Sequence, residues 1–307
     1  GAFERAIGES DLLSITYFWA GLRAARSVGK ISVRPMGSDR GGVATGFLVA
    51  PGLLLTNWHT FESKFSDTKT VAGRARVQFG YELDENGNER KSTWFTLAPD
   101  RFFCEDRKLD YAVVAIDPAS QQGEEKLESF GWLRLNPQLG KADYGAFLSI
   151  IQHPRGETKQ IAIRENELLP FDDTEDFLTY RSDTFRGSSG SPVFNDYWDV
   201  VALHHMGLPA RDGQGRILGH DNQPLADREP HEEDIKWEAN EGARVSRIVN
   251  HVLANAGAGA HREALAAACA GTIRPLAQLE EAPLLEIDDP ADPAPARERR
   301  GRRSDPN

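Results

Sequence analysis

The sequence contains only two cysteines in 307 residues, Cys104 and Cys269, and they lie far apart. A secreted domain held together by disulfides carries more cysteines at closer spacings. The chain also does not open with a basic segment followed by an apolar stretch, so we expect no secretion signal unless one preceded Gly1. Both absences favour a cytoplasmic protein with two ordinary thiols.

Long hydrophobic runs and an excess of positive charge are missing too. No stretch of about 18 apolar residues occurs, which excludes a membrane-spanning helix. The 36 Lys and Arg residues are outnumbered by 47 Asp and Glu residues, which gives a net charge of −11. Such a field repels phosphates, so we expect neither nucleic acid nor an anionic membrane as a partner.

Motifs for metal ions and phosphate-bearing cofactors are likewise missing. The histidines at His204, His205, His220 and His231 match no zinc motif, and neighbours on a strand point to opposite faces. No glycine-rich phosphate loop is present. We therefore expect no metal and no cofactor.

Short apolar runs separated by turn residues dominate residues 28–250. Asn86 and Gly87, between two alternating runs, predict a hairpin. About a dozen short strands in two sets, separated by a polar linker at 117–141, favour an all-β fold of barrels or a sandwich. The predicted strands are 30–33, 44–50, 53–56, 74–81, 90–97, 111–116, 146–152, 160–165, 177–181, 192–195 and 200–206.

Helical spacing of apolar residues appears only towards the two ends of the chain. It predicts one helix over 10–27 and two more over 245–254 and 261–270. Residues 271–307 combine six prolines with an acidic block and then a basic block. This composition is typical of a flexible linker or tail, which leads to a fused domain beyond Asn307 or docks on a partner.

Three segments carry residues that can do chemistry together. His59 ends a pair of apolar strands, Asp110 opens an apolar strand, and Ser189 lies between glycines at the start of another strand. A serine hydroxyl needs a base to become a nucleophile, histidine suits that task, and a carboxylate orients the histidine. Backbone N–H groups of Gly187 and Ser189 would stabilise the oxyanion. Any one of these residues alone is weak evidence, whereas the ordered set favours catalysis.

In these segments the chain resembles a trypsin-like serine protease of the chymotrypsin fold, in the bacterial glutamyl-endopeptidase-like branch. The resemblance implies two six-stranded antiparallel barrels over 28–117 and 141–250, with the active site between them. An N-terminal helical segment (1–27) and a helical extension (251–270) flank the barrels. The matching motifs are TGFLVAPGLLLTNWH at 45–59, LDYAVVAID at 109–117, GSSGSPVFN at 187–195 and VVALHHMG at 200–207.

One departure from the family concerns activation. Ser188 precedes the nucleophile where digestive enzymes carry an aspartate that binds the new N-terminus after zymogen cleavage. Without that aspartate, this salt bridge is not expected to activate the protein. Other contacts must then order the loop that forms the oxyanion hole.

Three residues bear on which peptide bond is cut, and they conflict. Asp183 lies six residues before Ser189, where the trypsin pattern holds an aspartate that selects Arg or Lys. His204, helped by the hydroxyl of Thr184, instead resembles the set with which glutamyl endopeptidases bind an acidic side chain. If Asp183 and His204 both faced inward they would pair and blunt each other. A basic, an acidic or neither preference remains open.

The function that the resemblance implies is a serine endopeptidase that cleaves proteins or peptides through an acyl-enzyme. The alternative is a catalytically idle or latent protease fold that serves as a recognition module and is switched on by a partner. Cytoplasmic domains of this kind with such a C-terminal linker resemble parts of bacterial multidomain effectors in defence or signalling. An activating protein partner or fused sensor is therefore expected beside the substrate.

Overall fold

Two antiparallel sheets, with helices at both ends of the chain, form the protein. The computed structural model describes residues 13–34, 41–141, 144–163, 166–170, 175–225 and 230–274. Within these ranges no helix is both long and apolar enough to cross a membrane. The elements in chain order are α1 (Thr16–Arg26), β1 (Val28–Val33), β2 (Gly42–Ala50), β3 (Leu53–Thr56), α2 (Thr68–Ala72), β4 (Ala75–Phe79), β5 (Thr93–Leu97), β6 (Phe103–Asp106), β7 (Tyr111–Gln122), β8 (Ser149–Gln152), β9 (Gln160–Ala162), β10 (Phe177–Tyr180), β11 (Pro192–Phe194), β12 (Val200–Pro209), β13 (Trp237–Arg244), α3 (Val245–Asn255) and α4 (Ala260–Ala270).

The first sheet closes into a barrel. Strands β3, β2, β1, β4, β5 and β7 are hydrogen-bonded neighbours in that order, and β3 also pairs with β7. This last pairing joins the two ends of the row, so six strands form a closed ring, and β6 adds to it as a further partner of β7. The first of the two predicted six-stranded barrels is thereby confirmed.

The second sheet has six strands in the order β10, β13, β12, β11, β8 and β9. The segment that follows β9 joins the edge strand β10 to the residues just before β8. The N–H of Leu168 donates to the carbonyl of Ala146 at 3.0 Å, and the N–H of Leu169 donates to the carbonyl of Thr179 at 2.9 Å. The sheet therefore curves back on itself, and the predicted all-β, chymotrypsin-like fold of two antiparallel barrels is confirmed.

The most apolar strands are buried on both faces. In β3, Leu54 packs inside the first barrel, whereas Leu53 and Leu55 pack into the layer between the barrels and the C-terminal helices. In β7, Val114 faces inward and Val113 outward in the same way. Two-sided burial explains why these strands read as continuous apolar runs without alternation.

Helix α1 packs on the second barrel with a face that its apolar spacing does not mark. Gly21 leaves room for the ring of Trp198, on which Tyr17 also packs. Phe18 and Leu22, which belong to the periodic apolar set, are exposed. A helix over 10–27 was predicted, and within the described residues it spans Thr16–Arg26, while 10–12 lie outside them.

Several elements differ from the sequence-based prediction. Strand β7 continues to Gln122, beyond the predicted end at Ile116, and β6, β13 and α2 were not predicted. The two C-terminal helices lie within one residue of the predicted bounds. Residues 275–307 of the predicted tail lie outside the described residues.

Candidate active site

His59 lies where β3 ends and the chain turns. Strand β3 is fully buried and pairs with both β2 and β7, so its end is fixed in the wall of the first barrel. A 3₁₀ turn over Trp58–Phe61 follows, and Phe61 anchors that turn in the barrel core. The His59 side chain is 37% exposed, which leaves it accessible to a substrate.

Asp110 precedes β7 in a strained conformation that its neighbours hold from both sides. Its φ of 48° lies in the left-handed region, which costs a residue other than glycine about 1 kcal/mol or more. The Asn57 side chain donates to the Asp110 carbonyl at 2.9 Å, and the Asp106 carboxylate accepts from the N–H of Leu109 at 2.7 Å. Strain held in this way is typical of functional sites.

Both oxygens of the Asp110 carboxylate bind His59. The backbone N–H of His59 donates to Oδ1 at 3.0 Å, and its ring Nδ1 lies 2.7 Å from Oδ2. A proton on Nδ1 gives the stronger contact with the carboxylate, which leaves Nε2 with a free lone pair. The pair can therefore accept a proton at Nε2 and stabilise the imidazolium that results.

A second imidazole binds the same carboxylate oxygen. Nδ1 of His205, on β12, lies 3.1 Å from Asp110 Oδ2, and its Nε2 lies 2.9 Å from Glu241 on β13. Burial alone would raise the pKa of the Asp110 carboxyl, but the hydrogen bonds with His205 and His59 lower it to about 2. Asp110 is therefore an anion throughout the physiological range. The only hint of His205 in the sequence is the adjacent histidine pair, which matches no zinc motif.

Ser189 lies in a tight loop that orders itself. The buried hydroxyl of Ser188 accepts from the N–H of Phe185 at 3.1 Å, and the N–H of Ser188 donates back to the Phe185 carbonyl at 2.9 Å. Gly187 and Gly190 flank the serines with φ values of 97° and 87°, which favour glycine. The Ser188 hydroxyl thus stabilises this loop, at the position where digestive enzymes carry an aspartate.

Thr45 on β2 joins this loop to the first barrel. Its N–H donates to the Ser189 carbonyl and its hydroxyl to the Gly187 carbonyl, both at 2.8 Å. The Thr45 carbonyl in turn accepts from the hydroxyl of Thr56, at the end of β3, at 2.8 Å. The backbone of Ser189 is thereby bound to the strand pair that leads into His59. Sequence reasoning missed Thr45, although it opens the first motif.

The three predicted specificity residues lie in different surroundings. His204 is buried on the face of β12 opposite His205, and its Nδ1 lies 2.8 Å from the hydroxyl of Tyr180. Burial first, and then the charge of His205, lower the pKa of His204 to about 3, so it is neutral. The Thr184 hydroxyl donates to the Asn240 side chain at 2.7 Å, and Asp183 is exposed.

Comparison with known proteins places these features in a family. The model of the trypsin-like peptidase domain matches residues 44–203, just over half of the chain. The uncharacterized protein y4fB of Sinorhizobium fredii is 41% identical over 266 residues, which cover 81% of this chain and 39% of that protein. The serine protease FAM111A of Mus musculus is 25% identical over 210 residues, which cover 54% of this chain and 32% of that protein.

The chain thus spans well under half the length of both relatives. Among solved structures, the active form of the Rv3671c protease of M. tuberculosis aligns with a TM-score of 0.49 and 17% identity, over 84% of this chain and 96% of that one. The matched family region contains the segments of His59, Asp110 and Ser189. The chain belongs to the family of trypsin-like peptidase domains.

Proposed function

We propose that the protein is a serine endopeptidase that uses Ser189, His59 and Asp110 as its triad. The observation that carries the proposal is the pair of contacts between Asp110 and His59. Both oxygens of the Asp110 carboxylate bind His59, and they direct its Nε2 away from the carboxylate. The link from Ser189 through Thr45 to the strands that lead into His59 supports the third member. Family membership agrees with this assignment.

The reaction follows from these roles. Ser189 Oγ attacks the peptide carbonyl while its proton passes to His59 Nε2, and the Asp110 carboxylate stabilises the imidazolium. The N–H groups of Gly187 and Ser189 bind the oxyanion that forms. His59 then gives its proton to the departing amine, which leaves an acyl-enzyme. Water then attacks the acyl carbonyl while His59 takes its proton, and His59 returns that proton to Ser189 Oγ as the acyl–Oγ bond breaks and the acid product leaves.

We further propose that neither Asp183 nor His204 pairs with a charged substrate side chain. His204 is neutral, buried and bound to Tyr180, so it lacks the positive charge that would attract a glutamate. Asp183 is exposed to solvent, where a single ion pair contributes little. The Thr184 hydroxyl is already used by Asn240. An uncharged residue on the acyl side of the cut bond fits these surroundings best, and the glutamyl-endopeptidase-like branch stays a prediction.

The biological setting is also a proposal. Cys104 and Cys269 are both free and buried, which suits a reducing cytoplasm. The match to 39% of the y4fB protein suits a peptidase unit within a longer effector, where a fused domain or partner regulates cleavage. Protein or peptide substrates are its natural partners.

A fluorophosphonate probe tests the proposed function. We expect the probe to label wild type and the control Ser14→Ala, whose serine is exposed two residues before α1. Ser189→Ala should lose all labelling, and its kcat should fall by about 10⁴-fold or more on a peptide library. Labelling that survives Ser189→Ala would refute the assignment of Ser189 as the nucleophile. A folded wild type that never labels would instead favour the idle module. The cleaved library peptides also report the side-chain preference.

A further inference from the structure

The ring of His205 lies between two carboxylates. Its Nδ1 is 3.1 Å from Asp110 Oδ2, and its Nε2 is 2.9 Å from Glu241 Oε1. The side chain is only 10% exposed, and the ring of Phe177 stacks on it with centroids 5.0 Å apart. Water has little access to either nitrogen, so the two carboxylates determine where the protons of this ring lie.

The proton count of the ring follows from these contacts. A neutral imidazole has one N–H and one lone pair, so a neutral His205 would turn its lone pair towards an oxygen of Asp110 or Glu241. Both contacts are attractive only when both nitrogens carry protons. Burial alone would lower the pKa of His205, but the hydrogen bonds with Asp110 and Glu241 raise it. Geometry and electrostatics therefore agree on an imidazolium.

The other ionisable groups around His205 leave this balance intact. His59 approaches from the first barrel and shares the Asp110 oxygen at 2.7 Å. His204, the preceding residue on β12, is neutral because burial lowers its pKa to about 3. Tyr180 on β10 is also neutral, since burial and the charge of Glu241 raise its pKa. One cation thus stands between two anions, with one negative charge in excess.

We propose that His205 is a positioning residue, an imidazolium held by Glu241 that fixes the Asp110 carboxylate beside His59 and neutralises part of its charge. The inference rests on the proposed function, because it concerns the proton transfer assigned to His59. Since two imidazoles share Oδ2, Asp110 attracts a proton onto His59 less strongly than a carboxylate bound to His59 alone would.

Nitrogen NMR of the histidine rings tests the charge of His205 without any need for activity. The sample is Ser189→Ala, with His205→Gln added to assign the signals. We expect both ring nitrogens of His205 to show imidazolium shifts at pH 7, and Glu241→Gln to make the ring lose its proton at lower pH. A neutral tautomer of His205 at pH 7 would overturn the proposal. The result stands whether or not Ser189 is a nucleophile.

The pH dependence of kcat/KM tests the effect on His59. His205→Gln keeps an N–H donor for Asp110 but removes the positive charge, so the acid limb should move up by about one pH unit. His205→Gln/Glu241→Gln restores the net charge, and its limb should move part of the way back. The control His220→Gln replaces an exposed histidine and should match wild type.

A purely structural role predicts a different outcome. If His205 only supported the fold, His205→Gln would lower kcat/KM at every pH and leave the acid limb where it is. That result would contradict the proposal even when the variant folds. A wild type that neither cleaves nor labels would instead refute the proposed function, while the NMR result would still decide the charge of His205.

Discussion

The hydroxyl of Thr45 donates to the carbonyl oxygen of Gly187 at 2.8 Å, and this hydrogen bond crosses from the first barrel to the loop of the proposed nucleophile. Thr45 is completely buried, and its hydroxyl also accepts from the backbone N–H of His153 at 3.0 Å. One side chain thus connects β2 with two loops of the second barrel. The position of the Gly187 N–H, which would bind the oxyanion, depends on this contact.

Thr45→Val is expected to lower kcat by roughly 10–100-fold, because a displacement of about 1 Å in a catalytic group has that effect. Valine keeps the shape of threonine but loses the bonds to Gly187 and His153. Steady-state kinetics with active-site titration measures the change. Thr45→Ser keeps the hydroxyl and should retain most of the activity. An unchanged kcat in Thr45→Val would show that the loop is ordered without this hydroxyl.

Gly190→Ala should unfold or strongly destabilise the protein. An added Cβ would lie 2.0 Å from the carbonyl oxygen of Thr45 and 2.4 Å from the hydroxyl of Thr56, and the φ of 87° adds strain. Overpacking costs about 1–3 kcal/mol and the left-handed conformation about 1–2 kcal/mol. Urea unfolding measures the sum. The control Gly213→Ala has open space around it and should change stability little.

Two buried histidines should make the protein less stable as the pH falls below neutrality. Burial, followed by the charge of Lys159 for His153 and of His205 for His204, lowers both pKa values from 6.5 to about 3. Both rings therefore bind a proton more tightly in the unfolded chain than in the folded protein. Their contribution to the free energy of unfolding is complete above pH 6.5 and is lost as the pH falls towards 3.

Between pH 7 and pH 5 each of these histidines should remove about 2 kcal/mol from the free energy of unfolding. Urea unfolding at several pH values measures this slope. His153→Gln and His204→Gln should each flatten it by one share, whatever they do to stability at pH 7. The same slope in wild type and in both variants would mean that these rings take up protons as readily in the folded protein as in the unfolded chain.

The strands that could be predicted are those whose own residues decide their structure. β2, β3 and β7 are apolar on both faces, and so they were recognised without alternation. β13 was missed because half of Trp237–Arg244 is polar or charged and the segment contains a glycine, Gly242. It becomes a strand because β12 on one side and β10 on the other bind its backbone, so tertiary pairing overrides local preference.

The sequence predicted helix α1 correctly, but the apolar residues that identified it are not the ones that pack on the barrel. Apolar spacing identified the helix, yet Phe18 and Leu22 of that set are exposed, while Gly21 and Tyr17 pack on Trp198. Periodicity reports that residues share a face but not which face meets the barrel. The bulk of Trp198, far away in sequence, decides that question.

The candidate site shows the same limit. Motifs predicted His59 and Asp110, and the structure brings them together. They did not predict His205, although strand alternation already put it on the face opposite His204. Which of the two faces Asp110 depends on the pairing of β12 with β13, where a register shift beside His205 sets Glu241 opposite Met206. Such pairing is not encoded in either strand alone.

Tyr111→Phe should lower the stability of the protein and have little effect on catalysis. The buried hydroxyl of Tyr111 lies 2.7 Å from Nδ1 of His251 on α3, so it ties that helix to the start of β7. Its loss should cost about 0.5–1.5 kcal/mol in urea unfolding. Because Asn57 still binds the Asp110 carbonyl, kcat should fall much less than in Thr45→Val.

The control Tyr197→Phe alters a hydroxyl on an exposed ring and should leave both stability and kcat unchanged. A large fall in kcat without loss of stability would instead mean that α3 acts on the site through Tyr111.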